Sequence, residues 1–264
     1  MLETNPFSIL AETVSPFAMQ SFIIAMIVLI ALGTIIQMIN HKNLTYFLNN
    51  AKKAKTQAVR EIGAGERVSI LAKTAVVDIG TTSELGFGKR RLSHVLGMYG
   101  TIIFWVSSAM LVFCYTGADK SSSSMWSILW HIGAILTCVG GYWFWLFLRV
   151  DVSAEAHPWY RIIKADLFVL ALLACSTFGL AWSYTQFNGQ VGLSFLFLTL
   201  FVTSNLVLFG GVYWSKFAHM FYKPGAAIQK NLAEADGSRD NLPPLADAPK
   251  QFGLGIKREE PKHY

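Results

Sequence analysis

Five runs of 18 to 24 residues in this chain contain no Asp, Glu, Lys or Arg and consist mostly of apolar residues. A helix needs about 20 such residues to cross the hydrocarbon core of a bilayer. Only 14% of the chain is charged, whereas a soluble domain carries about 25%. The sequence therefore predicts an all-α integral membrane protein with a bundle of five transmembrane helices. The predicted spans are residues 17–39, 95–115, 125–148, 166–185 and 191–214.

The positions of the cations predict the orientation of these spans. Residues 1–16 contain Glu3 and Glu12 but no Lys or Arg, so they do not resemble the basic start of a cleavable signal peptide. If the five spans alternate in direction, 21 of the 22 Lys and Arg residues lie on one side, and only Lys120 lies on the other. Loops rich in Lys and Arg stay in the cytoplasm. We therefore expect a periplasmic amino terminus and a cytoplasmic carboxyl terminus in a bacterial inner membrane, and the excess of cations does not indicate nucleic-acid binding.

Two long segments lie on the predicted cytoplasmic side, the loop of residues 40–94 and the tail of residues 215–264. Apolar residues at helical spacing predict an amphipathic helix at residues 44–60 that lies along the membrane surface. A second short helical segment is expected at residues 67–77. Beyond Pro224 the tail has few apolar residues, so we expect it to be partly disordered or to become ordered on a partner.

Two histidines are candidates for the axial ligands of a b-type haem iron. His94 directly precedes the second predicted span and His219 follows the fifth, so both are expected at the cytoplasmic face. A low-spin b-type haem needs imidazoles from two helices at a matched depth. Gly97 lies three residues after His94 on the same helical face and would let a macrocycle approach the backbone. Nearby cations would pair with the haem propionates, namely Arg90, Arg91 and Lys216.

Each of these features also has a simpler interpretation. A single histidine at the end of a span is commonly an interfacial polar residue. Gly97 and Gly100 also suit close packing between membrane helices, and Lys or Arg at span ends are ordinary topology anchors. The haem prediction therefore depends on the matched depth of His94 and His219.

Two further histidines are candidates for contact with a cofactor. His131 is expected inside the third span near the periplasmic face, where it would hydrogen-bond a quinone carbonyl or a residue of a neighbouring helix. His157 precedes the fourth span, and it would donate to a quinone or a propionate or belong to an ordinary loop. Three cysteines fall within spans and lack CxxC spacing, so no disulfide, metal site or iron–sulfur cluster is predicted: Cys114, Cys138 and Cys175.

Three short stretches resemble the gamma-subunit family of respiratory nitrate reductase and the related membrane subunits of quinone-interacting oxidoreductases: Ala75–Ile79, Arg90–His94 leading to Tyr99–Gly100, and Lys216–Pro224. The resemblance implies five spans and b-haem histidines on spans two and five. The family also has one further histidine inside each of these two spans, and together they hold an outer haem. Phe104 and Phe201 lie in the corresponding regions here, so we expect one haem.

Quinone-interacting subunits of this kind usually begin with a ferredoxin-like domain, whereas here the first span starts near residue 17. In this respect the chain resembles the shorter membrane anchors, without that domain, that are associated with adenylylsulfate (APS) reductase. The resemblance implies an electron-transfer subunit that links a cytoplasmic iron–sulfur flavoenzyme to menaquinone or ubiquinone, with or without quinone chemistry of its own. The alternatives are a haem-free membrane tether and a quinone-reactive subunit of another complex of the nitrate reductase gamma-subunit type. A small transporter fits less well, because the interior of each span contains no charged residue.

Overall fold

The structure is a computed structural model, and it describes residues 1–40, 42–85, 88–116, 124–150, 156–215, 217, 219–238, 251–252 and 256–257. The chain divides into two compact units. The first, which we call the bundle unit, comprises Met1–Gln37 and Leu92–Ala218. The second, which we call the loop–tail unit, comprises Met38–Arg91 and His219–Tyr264. The regular secondary structure of the described residues is helical, apart from an antiparallel pair of two-residue strands, β1 (Gln251–Phe252) and β2 (Ile256–Lys257).

Five helices are long and apolar enough to cross a membrane, as the sequence predicts. They follow a short helix α1 (Pro6–Leu10) and are α2 (Pro16–Asn40), α5 (Lys89–Cys114), α6 (Ser124–Trp143), α7 (Leu167–Phe187) and α8 (Val191–Gly210). A π-helical segment, Phe144–Leu148, continues α6, and a 3-10 turn, Lys164–Asp166, precedes α7. At 1.5 Å per residue, each helix is about 30 Å long or longer, which is the thickness of the hydrocarbon core.

Small residues allow α5 and α6 to pack backbone against backbone. A Cβ atom added at Gly133 would lie 2.5 Å from the backbone nitrogen of Phe104, and one added at Gly100 would lie 2.5 Å from that of Thr137. The Ser93 hydroxyl donates to the Gly140 carbonyl across the same contact, at 2.7 Å. Such small-residue contacts are a usual means of helix association in lipid, where the hydrophobic effect does not drive helices together.

Aromatic rings fill the interior of the bundle unit. Trp130 and Trp182 are fully buried, and their ring centroids are 6.4 Å apart. Phe104 packs against Trp130 at 5.1 Å, and Phe201 stacks on Trp182 at 5.8 Å. These large rings bring apolar area and close packing to a core that lipid cannot reach.

The amino-terminal residues contribute to this core, which the sequence analysis did not anticipate. The Asn5 side chain accepts from the Phe7 amide at 2.9 Å and donates to the Tyr115 carbonyl at 3.1 Å. Pro6 begins α1, where its missing amide hydrogen costs nothing. Phe7 is 7% exposed and packs edge-on against Trp130 and Trp182. Residues 5–10 therefore form an integral part of the bundle unit.

The loop–tail unit contains three helical stretches. Helix α3 is Asn43–Gln57, and α4 (Ala64–Lys73) runs directly into a π-helical segment, Thr74–Gly80. A 3-10 turn covers Ser83–Leu85, and α9 is His219–Asp236. The expected amphipathic helix of residues 44–60 corresponds to α3, and the expected segment of residues 67–77 lies within α4 and its π-helical continuation.

Helix α9 differs from the expectation for the tail. The sequence analysis expected disorder or partner-dependent order beyond Pro224, but the chain is helical to Asp236 with Pro224 inside the helix. Ala227 and Ala233 are buried, and the backbone amide of Val59 donates to the Asp236 carbonyl at 2.9 Å. Packing against α3 and α4 stabilises a helix whose composition alone does not predict one.

Helix α9 also covers part of the apolar face of α3. The ring of Phe47 lies within 3.9 Å of a Cβ position built at Gly225, and Ala54 is 6% exposed. By contrast, Leu44 and Leu48 remain exposed. The face that the sequence analysis assigned to the membrane surface is thus occupied by α9 at Phe47, and contact with lipid stays a prediction for Leu44 and Leu48.

Candidate functional site

The predicted haem ligand His94 lies on an open face of α5. His94 belongs to the second turn of this helix and is exposed. A Cβ atom built at Gly97, one turn further along, would meet no atom within 4 Å. The backbone nitrogen of Gly97 lies close to α6, 2.5 Å from a Cβ position built at Gly140. Gly97 therefore packs against α6 and also leaves open space beside His94, which fits both interpretations of this glycine.

The other predicted haem residues belong mostly to the loop–tail unit. His219 is the first residue of α9 and is half-buried. Arg90 and Arg91 fall in the same unit, and Lys216 lies outside the described residues. Arg91 donates from Nε to the Thr81 carbonyl and from Nη2 to the Thr81 hydroxyl, each at 2.7 Å. The pairing of His94 with His219 stays a prediction from the sequence.

His131 is held on both sides of its ring by protein atoms. It is fully buried, its Nδ1 donates to the Ser127 carbonyl at 2.7 Å, and its Nε2 accepts from the Ser183 hydroxyl at 2.8 Å. The ring thereby connects α6 to α7, and Trp130 packs edge-on against it at 4.9 Å. In this arrangement neither ring nitrogen is available to a quinone or a metal, so a cofactor at His131 would require Ser183 or Ser127 to release it.

Two core phenylalanines cannot serve as ligands of an outer haem. Phe104 and Phe201 lie where the resemblance would put the ligands of an outer haem, and their ring centroids are 6.3 Å apart. A phenylalanine side chain has no nitrogen, oxygen or sulfur atom that could bind a haem iron. The two phenylalanine rings instead contact each other and the neighbouring tryptophans.

His157 lies beside a buried ion pair that links α6 and α7. Its backbone amide donates to the Arg149 carbonyl at 2.8 Å. The Arg149 side chain is 1% exposed, and its Nη2 donates to Asp166 Oδ2 at 2.7 Å and to the Arg161 carbonyl at 2.5 Å. The guanidinium carbon also lies 4.1 Å from the centroid of the Trp145 ring. Among the described residues, Nδ1 of His157 has no hydrogen-bond partner.

Arg149 was counted only among the 21 cations that predict the orientation, and its pairing with Asp166 was not predicted. A cation directly after the third uncharged run and an anion directly before the fourth are a usable signal for it. Their proximity still depends on how the intervening residues return the chain, and spacing does not specify that path.

A polar cluster joins the two sequence segments of the loop–tail unit. Nδ2 of Asn231 donates to the Thr74 hydroxyl and to Asp78 Oδ2, each at 2.7 Å. The other carboxylate oxygen of Asp78 accepts from the Ser83 hydroxyl at 2.6 Å. Both oxygens of Asp78 and both hydrogens of the Asn231 amide are therefore used, and the cluster fixes which side of the π-helical segment faces α9.

An exposed ion pair lies at one end of the same unit. Arg60 donates to both carboxylate oxygens of Glu66, and this hydrogen bonding lowers the pKa of Glu66 and raises the pKa of Arg60. Arg60 also donates from Nε to the Ala235 carbonyl at 2.7 Å. The pair thus holds the start of α4 beside the end of α9.

The part of the chain that the structure describes contains no group of three or more His, Cys, Asp or Glu side chains that would hold a metal ion. The three cysteines are not in disulfides. Comparison of the chain with protein-family models, with curated proteins and with solved structures found no match.

Proposed function

We propose that this protein is the membrane subunit of a redox complex, which anchors a water-soluble iron–sulfur flavoenzyme and passes its electrons to the quinone pool. The observation that carries the proposal is the combination of five membrane-crossing helices with a separately folded, cation-rich unit built from the first interhelical loop and the tail. A tether for a soluble enzyme needs both parts. The enzyme that the sequence resemblance suggests is APS reductase, in sulfur oxidation.

The proposed orientation places the loop–tail unit in the cytoplasm of a bacterial cell. If the five helices cross in alternate directions, the end of α2, the start of α5 and the end of α8 share one side of the membrane. The loop–tail unit and Arg149 lie on that side, and 21 of the 22 cations of the chain with them. The positive-inside rule assigns that side to the cytoplasm and the amino terminus to the periplasm.

His94 is the residue of the bundle unit that would hold a b-type haem, with His219 as the second ligand predicted from the sequence. The exposed imidazole of His94 and the open space at Gly97 fit a macrocycle on that face of α5. A bound haem would supply one-electron transfer between the flavoenzyme and a quinone. The residues of this chain would fix its ligand geometry, and Arg90 would neutralise a propionate at the water boundary.

A haem-free tether is the second candidate function, and one observation favours it. The loop–tail unit is held by contacts between its own residues, among them the hydrogen bonds of Asn231 with Thr74 and Asp78. Because such contacts hold the unit together, it could present a binding surface to a partner without a bound cofactor.

An absorption spectrum of the purified, dithionite-reduced protein separates the two functions. The redox proposal predicts a sharp b-type alpha band that is lost in both His94→Ala and His219→Ala. Gly97→Leu gives a more specific test, because a Cβ atom there would meet no atom within 4 Å and the larger side chain would occupy space beside His94. The band should fall while the protein stays folded. His131→Gln is the control and should keep the band.

Full-length, folded protein without the alpha band, purified after expression with added haem precursor, would exclude the haem proposal and leave the tether. Retention of the band in His94→Ala would show that the ligand assignment is wrong. Anchoring is tested separately by measuring the flavin and the iron that co-purify with the chain from its native membrane.

A further inference from the structure

The outer side of α4 and its π-helical continuation carries an exposed apolar stripe. We call it the α4 stripe and define it by Val68, Leu71, Ala72, Ala75 and Val76. Val68 and Val76 are 65% and 67% exposed, and Leu71 is 37% exposed. In a unit that faces water, contiguous exposed apolar residues mark an interaction surface.

The fold prevents this stripe from turning inward. The opposite side of the same segment carries Thr74 and Asp78, which accept hydrogen bonds from Asn231 of α9. Thr74 is fully buried. Rotating the segment to bury Val68 and Val76 would break both hydrogen bonds and expose Thr74. The π-helical geometry of Thr74–Gly80 is itself uncommon and occurs often at functional sites.

The composition of the stripe favours a protein surface over a lipid surface as its partner. Helices that lie in a membrane interface bury Trp, Phe or Leu and carry many Lys or Arg on the polar side. The α4 stripe consists of Val, Ala and a single Leu, and its opposite side is occupied by α9. Its residues recur at i, i+3, i+4, i+7 and i+8, which is the pattern of a helix that binds in a groove of a protein.

The charge of the loop–tail unit indicates the polarity of that protein. Its described residues include thirteen Lys and Arg but six Asp and Glu. Arg67 and Lys73 flank the stripe and are exposed, whereas Glu66 is already paired with Arg60. A groove with an apolar floor and an acidic rim complements this surface.

We propose that the α4 stripe is the docking surface for the soluble partner, inserted as a helix into an apolar groove rimmed by Asp and Glu. This inference rests on the proposed function, because it takes the partner to be the flavoenzyme that the chain anchors. The valines supply the buried contacts, and Arg67 and Lys73 set the orientation and the rate of association.

The test uses the full-length chain purified from its native membrane, with bound flavin and non-haem iron measured per chain; iron below means this non-haem iron. In the double variant Val68→Glu and Val76→Glu, flavin and iron per chain should fall by about tenfold or more, as expected when central interface contacts are lost. The matched control is Leu44→Glu and Leu48→Glu, which adds the same charge at exposed positions of α3 and should keep both. Far-UV circular dichroism of each variant should match that of the unsubstituted chain.

Three outcomes are distinguishable. If the unsubstituted chain retains flavin and iron and the α4 variant retains them equally, the docking surface is wrong while the proposed function stands. If the control variant loses them to the same extent, the stripe is not specific and the inference is also overturned. If the unsubstituted chain carries neither flavin nor iron, the proposed function and this inference both fail.

A second measurement separates protein from lipid as the occupant. A fluorophore attached at Val76→Cys, in vesicles of phosphatidylcholine with about 30% phosphatidylglycerol, should resist quenching by headgroup-labelled nitroxide lipid. Strong quenching, equal to that of a fluorophore at the end of α2, would place the stripe on the bilayer and overturn the proposal.

Discussion

The buried ion pair between Arg149 and Asp166 allows a quantitative test of how α6 and α7 are held together. Arg149 is 1% exposed, and its contacts are the Asp166 carboxylate, the Arg161 carbonyl and the Trp145 ring. Asp166→Ala removes the carboxylate and leaves the guanidinium buried. It also removes the acceptor of the Ile163 amide, which lies 2.8 Å from Asp166 Oδ2.

The expected loss follows from the burial and the geometry of the pair. Two unit charges about 4 Å apart attract by about 4 kcal/mol at an effective dielectric constant of about 20. Removing one partner of a buried pair costs about 3–5 kcal/mol. The Asp166 side chain is 16% exposed, so some water reaches the pair, and the cation–π contact with Trp145 persists in the variant. We therefore expect Asp166→Ala to lower the free energy of unfolding by about 3 kcal/mol.

The assay is reversible unfolding of the purified protein in mixed micelles of increasing SDS content, followed by far-UV circular dichroism. The double variant Arg149→Met and Asp166→Ala should recover most of the loss, because it leaves no unpaired buried charge. Lys164→Ala, at an exposed cation in the same turn, should change the free energy of unfolding by less than about 0.5 kcal/mol. A loss below about 1 kcal/mol for Asp166→Ala, or a double variant as unstable as the single one, would refute the argument.

Two further predictions concern packing within each unit. Gly133→Leu should prevent close approach of α5 and α6, because even a Cβ atom there would lie 2.5 Å from the Phe104 amide nitrogen. The yield of folded protein from the membrane should therefore drop. Gly97→Ala is the control and should leave the yield unchanged, because a Cβ atom there would meet no neighbour. Asn231→Ala should leave the Asp78 carboxylate without one of its donors and so loosen the packing of α9. Amide hydrogen exchange in residues 219–236 should become faster, while exchange in α6 stays unchanged. Exchange in α9 as slow as in the unsubstituted chain would contradict this role.

The predicted spans and the observed helices agree in number but differ at their ends. The second span was expected to start at residue 95, and α5 begins at Lys89. Hydropathy marks where the side chains are apolar, whereas a helix continues as long as its backbone hydrogen bonds do. Long cationic side chains at a helix end can reach polar partners, as Arg91 reaches Thr81, so they do not terminate the helix.

The tail and the amino terminus make contacts that the sequence did not predict. Helix α9 has a composition that suggests disorder, but buried alanines and hydrogen bonds from Asn231 stabilise it against α4. Phe7 was expected in a short segment outside the membrane, and it packs on Trp130 and Trp182. Both depend on contacts between residues more than 100 positions apart, which local composition does not encode.

At the candidate site, too, the sequence predicted some features and the structure supplied others. His94 and Gly97 were predicted from the sequence to share a helical face, and the structure adds that a Cβ atom at Gly97 would meet no atom within 4 Å. It left the role of His131 open between a quinone contact and a structural hydrogen bond, and the structure occupies both ring nitrogens with protein atoms. The ion pair of Arg149 was missed, because spacing alone does not bring two span ends together.

The five helices that can cross a membrane are predictable from the sequence, because charged side chains and unpaired backbone groups are very costly in hydrocarbon. Each span is therefore recognisable from its own residues alone. The tertiary structure alone decided which faces of those helices meet and that the loop and the tail fold together. Those choices depend on close packing, such as that of Gly133 against Phe104, and on long-range hydrogen bonds, such as that of Asn231 with Asp78.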